Sequence, residues 1–186
     1  MSPERTESTE NPDRTEDPDR TEDVEISERQ PQRSVIFVCW GNICRSPIAE
    51  RVAERRAADA GLDGVVFTSA ATSTEELGEP MDPRAADVLR RHGYRTEDHV
   101  AHQIQPQELA DADLVIAMEP LHVDRMRRIG DVSRVKLLTD FDPAAEPGSG
   151  VPDPWYGGPE GFEDTLASVE AAIPGLLERL RAGNPV

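Results

Sequence analysis

The sequence predicts an α/β fold in which helices cover both faces of a four-stranded parallel sheet, giving three layers. Four short runs of β-branched and aromatic residues have the length and composition of buried strands. Segments with apolar residues at helical spacing lie between these runs. Because parallel strands need crossover connections, this alternation favours the parallel arrangement.

The first predicted strand and helix are separated by a short turn. Ser34–Val38 reads SVIFV, a composition that suits a buried strand. Pro47–Ala60 carries Ile48 and Val52 on one stripe with charges elsewhere, and Gly61 ends it. In open parallel sheets ligands bind beyond the carboxyl ends of the strands, so we expect the functional site at this first turn.

The other elements follow in order along the chain. The remaining predicted strands are Gly64–Thr68, Asp113–Met118 and Val135–Leu138. The remaining predicted helices are Pro83–His92, Pro106–Ala110, Leu121–Ile129 and Phe162–Leu180. Asp82 caps the first of these helices, Pro174 predicts a kink in the last, and Tyr94–Val100 is expected to be extended. Thr139–Glu160 is rich in Pro, Gly and Asp and is too long for a plain connection, which indicates a functional loop.

The first 33 residues have a different composition. They contain 11 acidic and five basic residues, and after the initiator their only apolar residues are Val24 and Ile26. The hexapeptide PDRTED occurs at 12–17 and again at 18–23. Without apolar surface to bury, such a segment cannot offset the entropy of ordering the chain. We therefore predict a disordered acidic low-complexity tail over residues 1–33 and one folded domain over residues 34–183.

Charge and cysteine content exclude several classes of function. The formal net charge of −17 argues against nucleic acid as a partner, because phosphate backbones require clustered positive charge. The chain opens without a signal-peptide pattern and has no apolar run long enough to span a membrane, so we expect a soluble, cytoplasmic and monomeric protein. Two cysteines are too few for a disulfide framework or a structural zinc site, and we expect no metal or cofactor.

The turn after the first strand, residues 39–47, reads CWGNICRSP and suits thiol-based phosphoryl transfer. A cysteine at a strand end that faces a helix N-terminus has its thiolate stabilised, and the loop N–H groups can hold a phosphate. Arg45 offers two parallel donors to phosphate oxygens, and Ser46 can donate to the sulfur of Cys39. Taken alone, Cys39 is better explained as a buried structural thiol, but its place between a strand and a helix reverses that preference and favours the nucleophile.

At this point the chain resembles the low-molecular-weight protein-tyrosine phosphatases over residues 34–183. The segments that carry the resemblance are VCWGNICRSPIAE, SAATSTEELGEPMDPR, DHVAHQI, DLVIAM and DPWYGG. The resemblance implies a four-stranded parallel sheet with flanking helices, a cysteinyl-phosphate mechanism and a phosphotyrosine-containing protein as substrate. It also implies that Cys39 is the nucleophile, Arg45 the phosphate clamp and Asp153 the general acid. The implied phosphate-binding residues are Trp40, Gly41, Asn42, Ile43, Cys44, Arg45 and Ser46.

The resemblance assigns supporting roles to four further polar residues. Asn42, Ser46, Ser69 and His99 correspond to residues that hold the phosphate loop in shape. From the residues alone, Asn42 could be a turn residue that tolerates positive φ, Ser69 a strand-end hydroxyl and His99 an ordinary packed imidazole.

The walls of the substrate pocket are implied at positions 40, 75, 155 and 156. Trp155 and Tyr156 follow the acid and can enclose a phenyl ring. The resulting deep pocket would keep the shorter phosphoserine from reaching the thiolate. Trp40 stands where the family often has Leu, and Glu75 stands where many members have Tyr or Trp. If Glu75 lines the pocket, its charge favours basic residues beside phosphotyrosine; otherwise it points to solvent.

The resemblance also implies that Cys44 is a redox partner of Cys39, protecting the nucleophile through a reversible disulfide. The alternative is that Cys44 is a small apolar side chain behind the loop.

Three other functions fit parts of the pattern. Arsenate reductases of the same fold share the Cys-x5-Arg-Ser loop, but arsenate has no aryl leaving group to explain Asp153 with its aromatic neighbours. Protein-arginine phosphatases tend to carry Thr at the position of Ile43, so Ile43 favours phosphotyrosine as the substrate. A catalytically inactive phosphotyrosine-binding module would be expected to lack the nucleophile or the acid, and this chain has both.

Overall fold

The computed structural model describes residues 32–183 and contains one four-stranded parallel sheet, as predicted. The strands, in the spatial order β2-β1-β3-β4, are β1 (Arg33–Cys39), β2 (Val65–Ala71), β3 (Leu114–Ala117) and β4 (Val135–Leu137). The helices are α1 (Arg45–Asp59), α2 (Pro83–Arg91), α3 (Pro106–Asp111), α4 (Pro120–Met126) and α5 (Glu160–Arg181). A short 3₁₀ helix, Leu138–Phe141, follows β4.

The central strand β1 separates two hydrophobic layers. Val35 and Phe37 point into a core shared with α1, α2 and α5, whereas Ile36 and Val38 point into a second core beneath α3 and α4. This alternation follows from the two-residue period of a strand. It confirms the three-layer arrangement and places Cys39 at the carboxyl end of a strand whose last five residues are all buried.

The register of the sheet brings three strand ends together. Cys39 of β1 pairs with Ala71 of β2, and Val38 pairs with Ala117 of β3. Because all strands are parallel, the segments that leave them emerge at the same edge of the sheet. The edge therefore collects the loop after Cys39, the segment after Ala71 and the residues after Ala117.

Several boundaries differ from the predicted ones. β2 continues to Ala71 rather than ending at Thr68, because pairing with β1 extends over small residues whose own strand propensity is modest. α1 begins at Arg45, since a proline in the first turn of a helix removes no hydrogen bond. α4 ends at Met126, short of the predicted Ile129.

Strand β1 begins one residue earlier than predicted. β1 begins at Arg33, whose backbone N–H donates to the carbonyl of Gly64 at 2.8 Å. Residues 1–31, which hold the predicted disordered tail and its repeats, lie outside the described residues. The division into tail and folded domain stays a prediction. Within residues 32–183, none of the helices is both long and apolar enough to cross a membrane.

The last helix, α5, continues through Pro174 from Glu160 to Arg181. The residue after the proline, Gly175, faces the 3₁₀ helix that ends at Phe141. An ideal Cβ placed on Gly175 would lie 2.2 Å from the carbonyl oxygen of Phe141. The absence of a side chain is therefore what lets this turn pack against α5.

We predict that Gly175→Ala destabilises the protein by about 1–2 kcal/mol, measured by urea unfolding. In an exposed helix interior the same change would stabilise by about 1 kcal/mol, because alanine has the higher helix propensity. Here the backbone carbonyl of Phe141 cannot move as a flexible side chain would, so the overlap outweighs the propensity gain. Glu178→Ala, at an exposed position of the same helix, is the control and should change stability little. A stabilised Gly175→Ala variant would contradict the close approach.

Candidate active site

The sulfur of Cys39 lies beside the first turn of α1. Its Sγ is 3.1 Å from the Oγ of Ser46, and both residues are buried. Ser46 belongs to the first turn of the helix, where backbone N–H groups have no partner within the helix. The helix N-terminus and the serine hydroxyl both direct partial positive charge at the sulfur, which is the arrangement expected of the predicted nucleophile.

Asn42 determines the shape of the loop. It has a left-handed backbone with a φ of 58° and is fully buried. Its Nδ2 donates to the hydroxyls of Ser46 and Ser69, each at 2.9 Å, and its Oδ1 accepts the backbone N–H of His102 at 3.1 Å. Asn42 is thus both a positive-φ turn residue and a hydrogen-bonding brace, two interpretations that the sequence left open.

His99 holds the same loop from outside. Its Nε2 lies 2.6 Å from the backbone carbonyl of Asn42 and donates to it. Burial lowers the pKa of His99, so the neutral imidazole with a proton on Nε2 is the form that fits. The structure therefore brings the predicted supports Asn42, Ser46, Ser69 and His99 together around one loop.

A directional chain of hydrogen bonds leads to the sulfur. Ser69 donates its hydroxyl proton to Glu50 Oε2 at 2.5 Å, so its oxygen is free to accept from Asn42. Ser46 likewise accepts from Asn42, and its own proton is free to point to Cys39. This series of hydrogen bonds thus leaves the hydroxyl proton of Ser46 available for the sulfur of Cys39.

Glu50 is the last acceptor in this series of hydrogen bonds, and it was not predicted from the sequence. Burial raises the pKa of this carboxyl group, while the bond from Ser69 acts in the opposite direction. Glu50 lies four residues after Ser46, on the same face of α1, and this spacing was the available signal.

The guanidinium of Arg45 is buried and multiply bonded, with only 2% of the residue exposed. Nη1 donates to Glu119 Oε2 at 2.5 Å and to the carbonyl of Val151 at 2.9 Å. Nη2 donates to Asp153 Oδ2 at 2.7 Å. The predicted clamp and the predicted acid are therefore in direct contact.

Glu119 and His122 were also missed from the sequence. Glu119 follows β3 at the same edge of the sheet, and its backbone N–H donates to Nδ1 of the fully buried His122 at 3.1 Å. Burial, together with the positive charges of Arg45 and Arg125, lowers the pKa of His122 to about 3. Nε2 of His122 lies 3.9 Å from Glu119 Oε2, but that carboxylate is already paired with Arg45. His122 is therefore neutral over the physiological range.

These groups face a cavity of about 240 Å³. Its floor is formed by loop residues 39–41 and 43–45, and its sides are formed by Glu75, Glu76, Asp153, Trp155 and Tyr156. The four predicted wall residues thus all line one cavity. Two predicted phosphate-loop residues, Asn42 and Ser46, are fully buried and do not line it. Their side chains support the loop from behind.

The aromatic side of the cavity is fixed to Asp153. The backbone N–H of Trp155 donates to Asp153 Oδ1 at 3.1 Å, and the guanidinium carbon of Arg84 lies 5.4 Å from the centre of the indole. Tyr156 is 93% exposed and free to meet a ligand at the mouth.

Cys44, the predicted redox partner, is buried at the start of α1, and both cysteines are free. Burial raises the pKa of the Cys44 thiol well above its usual range. Cys44 is thus a protonated thiol at rest, and it does not compete with Cys39 for the phosphate ester.

Comparison with known proteins gives consistent matches. The family described as low molecular weight phosphotyrosine protein phosphatase matches residues 34–185. A low molecular weight protein-tyrosine-phosphatase from Streptomyces coelicolor is 47% identical over 153 residues, covering 79% of this chain and 93% of the relative. Low molecular weight protein-tyrosine phosphatase A from Mycobacterium tuberculosis is 44% identical over 158 residues, covering 81% of this chain and 96% of the relative.

Solved structures give the same likeness. A protein tyrosine phosphatase from Entamoeba histolytica superposes with a TM-score of 0.77 at 28% identity, covering 82% of this chain and 99% of that protein. YfkJ from Bacillus subtilis superposes with a TM-score of 0.77 at 31% identity, covering 84% of this chain and 99% of that protein.

We predict that His122 makes the protein less stable in mild acid. An unfolded histidine binds a proton below about pH 6.5, whereas folded His122 stays neutral to about pH 3. Its contribution to stability is therefore complete above pH 6.5 and is lost as the pH falls, by about 2 kcal/mol at pH 5. Urea unfolding at pH 8 and pH 5 should show this loss in the parent and a loss smaller by about that amount in His122→Gln.

The control is Val66→Thr, since the side chain of Val66 is exposed and does not titrate. It should keep the pH dependence of the parent. An equal acid-induced loss in the parent and in His122→Gln would show that another group is responsible.

Proposed function

Because the chain belongs to the low-molecular-weight phosphotyrosine protein phosphatase family, we propose that it is a protein-tyrosine phosphatase that works through a cysteinyl-phosphate intermediate. The observation that carries the proposal is that Cys39, Arg45 and Asp153 line one cavity together with three aromatic residues, Trp40, Trp155 and Tyr156. Aromatic walls beside the acid favour an aryl phosphate over arsenate, which has no aryl leaving group.

In the first step the Cys39 thiolate attacks phosphorus, and an S–P bond forms as the bond to the phenol oxygen breaks. Asp153 donates its proton to that oxygen, so tyrosine leaves as the neutral phenol. Arg45 and the loop N–H groups stabilise the charge on the three remaining oxygens, which is greatest in the transition state.

In the second step Asp153, now a carboxylate, removes a proton from a water molecule that attacks phosphorus. An O–P bond forms and the S–P bond breaks, releasing inorganic phosphate. The proton that Ser46 directs at the sulfur stabilises the departing thiolate. The enzyme returns to its starting state without a metal or an organic cofactor.

The contact between Arg45 and Asp153 changes during this cycle. Nη2 of Arg45 binds the carboxylate in the free enzyme. A phosphate dianion in the cavity competes for the same nitrogen, and the released carboxylate takes up a proton from solvent before it acts as the acid. Substrate thus releases Asp153 towards the leaving oxygen, while Nη1 keeps its bonds to Glu119 and to the carbonyl of Val151.

A chemically active Cys39 fits a reducing compartment, which keeps thiols free. We therefore place the enzyme in the cytoplasm, acting on phosphotyrosine-containing proteins. Its monomeric state stays a prediction.

We expect Asp153→Asn to reduce kcat on phosphotyrosine peptides by roughly 10²–10⁴-fold, the usual effect of losing a positioned acid. The loss should be smaller on 4-nitrophenyl phosphate, whose leaving group hardly needs a proton. Steady-state kinetics on both substrates measure the ratio. Unchanged turnover of phosphotyrosine peptides would remove Asp153 from its role.

Cys39→Ser is the matched variant for the nucleophile. It should abolish turnover of both substrates and retain inorganic phosphate binding, measured by calorimetry. A parent enzyme that reduces arsenate with a small thiol but leaves phosphotyrosine peptides intact would overturn the proposed function.

We further predict that Cys44 protects the nucleophile from oxidation. Peroxide converts the Cys39 thiolate to a sulfenic acid, and the Cys44 thiol condenses with it to a disulfide, releasing water. After brief peroxide treatment, dithiothreitol should restore most activity in the parent and much less in Cys44→Ser. Mass spectrometry should find the Cys39–Cys44 disulfide only in the parent. Equal recovery in both proteins would leave Cys44 with a packing role alone.

A further inference from the structure

Trp40 and Glu75 form a hydrogen-bonded pair at the mouth of the cavity. The indole Nε1–H of Trp40 donates to Glu75 Oε2 at 2.7 Å. Such a bond to an ionised acceptor is shorter and stronger than a bond between neutral groups. It joins residues that are 35 positions apart in the chain, and both line the cavity.

The face of the same indole is also occupied. The guanidinium carbon of Arg125, on α4, lies 4.4 Å from the centre of the Trp40 ring, within the range of a cation–π contact. Nη2 of Arg125 in turn donates to the carbonyl of Thr72 at 2.9 Å, which fixes the guanidinium in place. One face of the ring is therefore covered by a positioned cation.

The backbone of Trp40 is held as well. Its carbonyl accepts the N–H of Ser73 at 3.0 Å, in the segment that leads from β2 to Glu75. With its carbonyl, one edge and one face bound, the Trp40 ring has little freedom to rotate. It stands next to Cys39, on the wall of the cavity into which a phosphate ester must enter.

We propose that Glu75 is a positioning residue that holds the Trp40 indole as a fixed wall for the aryl group of the substrate. This inference rests on the proposed function for the nature of that substrate. A rigid aromatic surface binds a flat ring without losing side-chain entropy. Glu75 therefore acts on the substrate through the indole, by accepting a hydrogen bond from its N–H, and not through its own negative charge.

Two substitutions at Glu75 separate the acceptor from the charge. Glu75→Gln keeps an oxygen that can accept from Trp40 but removes the charge, whereas Glu75→Ala removes both. The KM of phenyl phosphate should rise about five- to tenfold in Glu75→Ala, the size expected for the net contribution of one ordinary hydrogen bond. It should stay within about twofold of the parent in Glu75→Gln. The inhibition constant of inorganic phosphate, which has no ring, should be the same in all three proteins.

A fluorescence measurement tests the pair without relying on catalysis. The chain has two tryptophans, so a Trp155→Phe background leaves Trp40 as the only one. In this background, Glu75→Ala should increase the quenching of Trp40 by acrylamide, and Glu75→Gln should not. If the proposed function were wrong, phenyl phosphate would not be hydrolysed, yet the quenching result would still decide whether Glu75 holds Trp40.

Glu79→Ala is the matched control, since it removes the same charge from an exposed position of the same segment that does not line the cavity. It should match the parent in both measurements. The proposal is overturned if Glu75→Gln and Glu75→Ala behave alike and both change only the preference between acidic and basic phosphopeptides in a salt-dependent way. It is also overturned if neither Glu75 variant alters the KM of phenyl phosphate or the quenching of Trp40.

Discussion

The left-handed backbone of Asn42 is the constraint on which the site depends. A residue at this position must accept a positive φ, which glycine does most readily and asparagine tolerates. It must also donate two protons and accept two, because the residue is completely buried between Ser46, Ser69, His99 and the backbone of His102. Glycine would meet the first requirement but would keep only the backbone carbonyl that accepts from His99, and aspartate would lack the donors. Asparagine meets both, so one side chain sets the turn of the loop and the direction of the proton aimed at the sulfur.

The two terminal nitrogens of Arg45 have different roles in the site. Nη1 is fixed by Glu119 and the carbonyl of Val151, and these bonds offset part of the cost of burying a guanidinium. Among residues 32–183, Nη2 bonds only to Asp153, whose side chain is more than one-third exposed and can leave. In a single arginine, Nη1 thus stays bonded to the protein while Nη2 can exchange Asp153 for a ligand. The separation explains how a clamp can be rigid and still release the group that must donate a proton.

Sequence patterns predicted the sheet and the residues at its carboxyl edge because both follow from local rules. Strand composition located β1, and a cysteine, an arginine and a serine in one turn predicted the chemistry after it. Glu119, His122 and the bond between Trp40 and Glu75 were beyond such rules, since each depends on which segments meet in space. In the sequence, Trp40 and Glu75 are two separate departures from a family pattern, and their hydrogen bond is visible only in the fold. The continuation of α5 through Pro174 is similar, because packing along its apolar face outweighs the local effect of the proline.

The order of these contacts along the chain has a consequence for biosynthesis. The loop after Cys39 receives its braces from Ser69, His99 and His102, and Arg45 receives its partners only from Glu119, Val151 and Asp153. A ribosome that has released only β1, α1 and β2 has made a chain that contains Cys39, Ser46 and Ser69 but lacks the three partners of the Arg45 guanidinium. The sulfur and its neighbouring hydroxyl are close in sequence, whereas those partners of Arg45 lie at least 74 positions away from it. The site is therefore assembled in two stages, and the contacts around Arg45 are complete only when the C-terminal third of the chain has emerged.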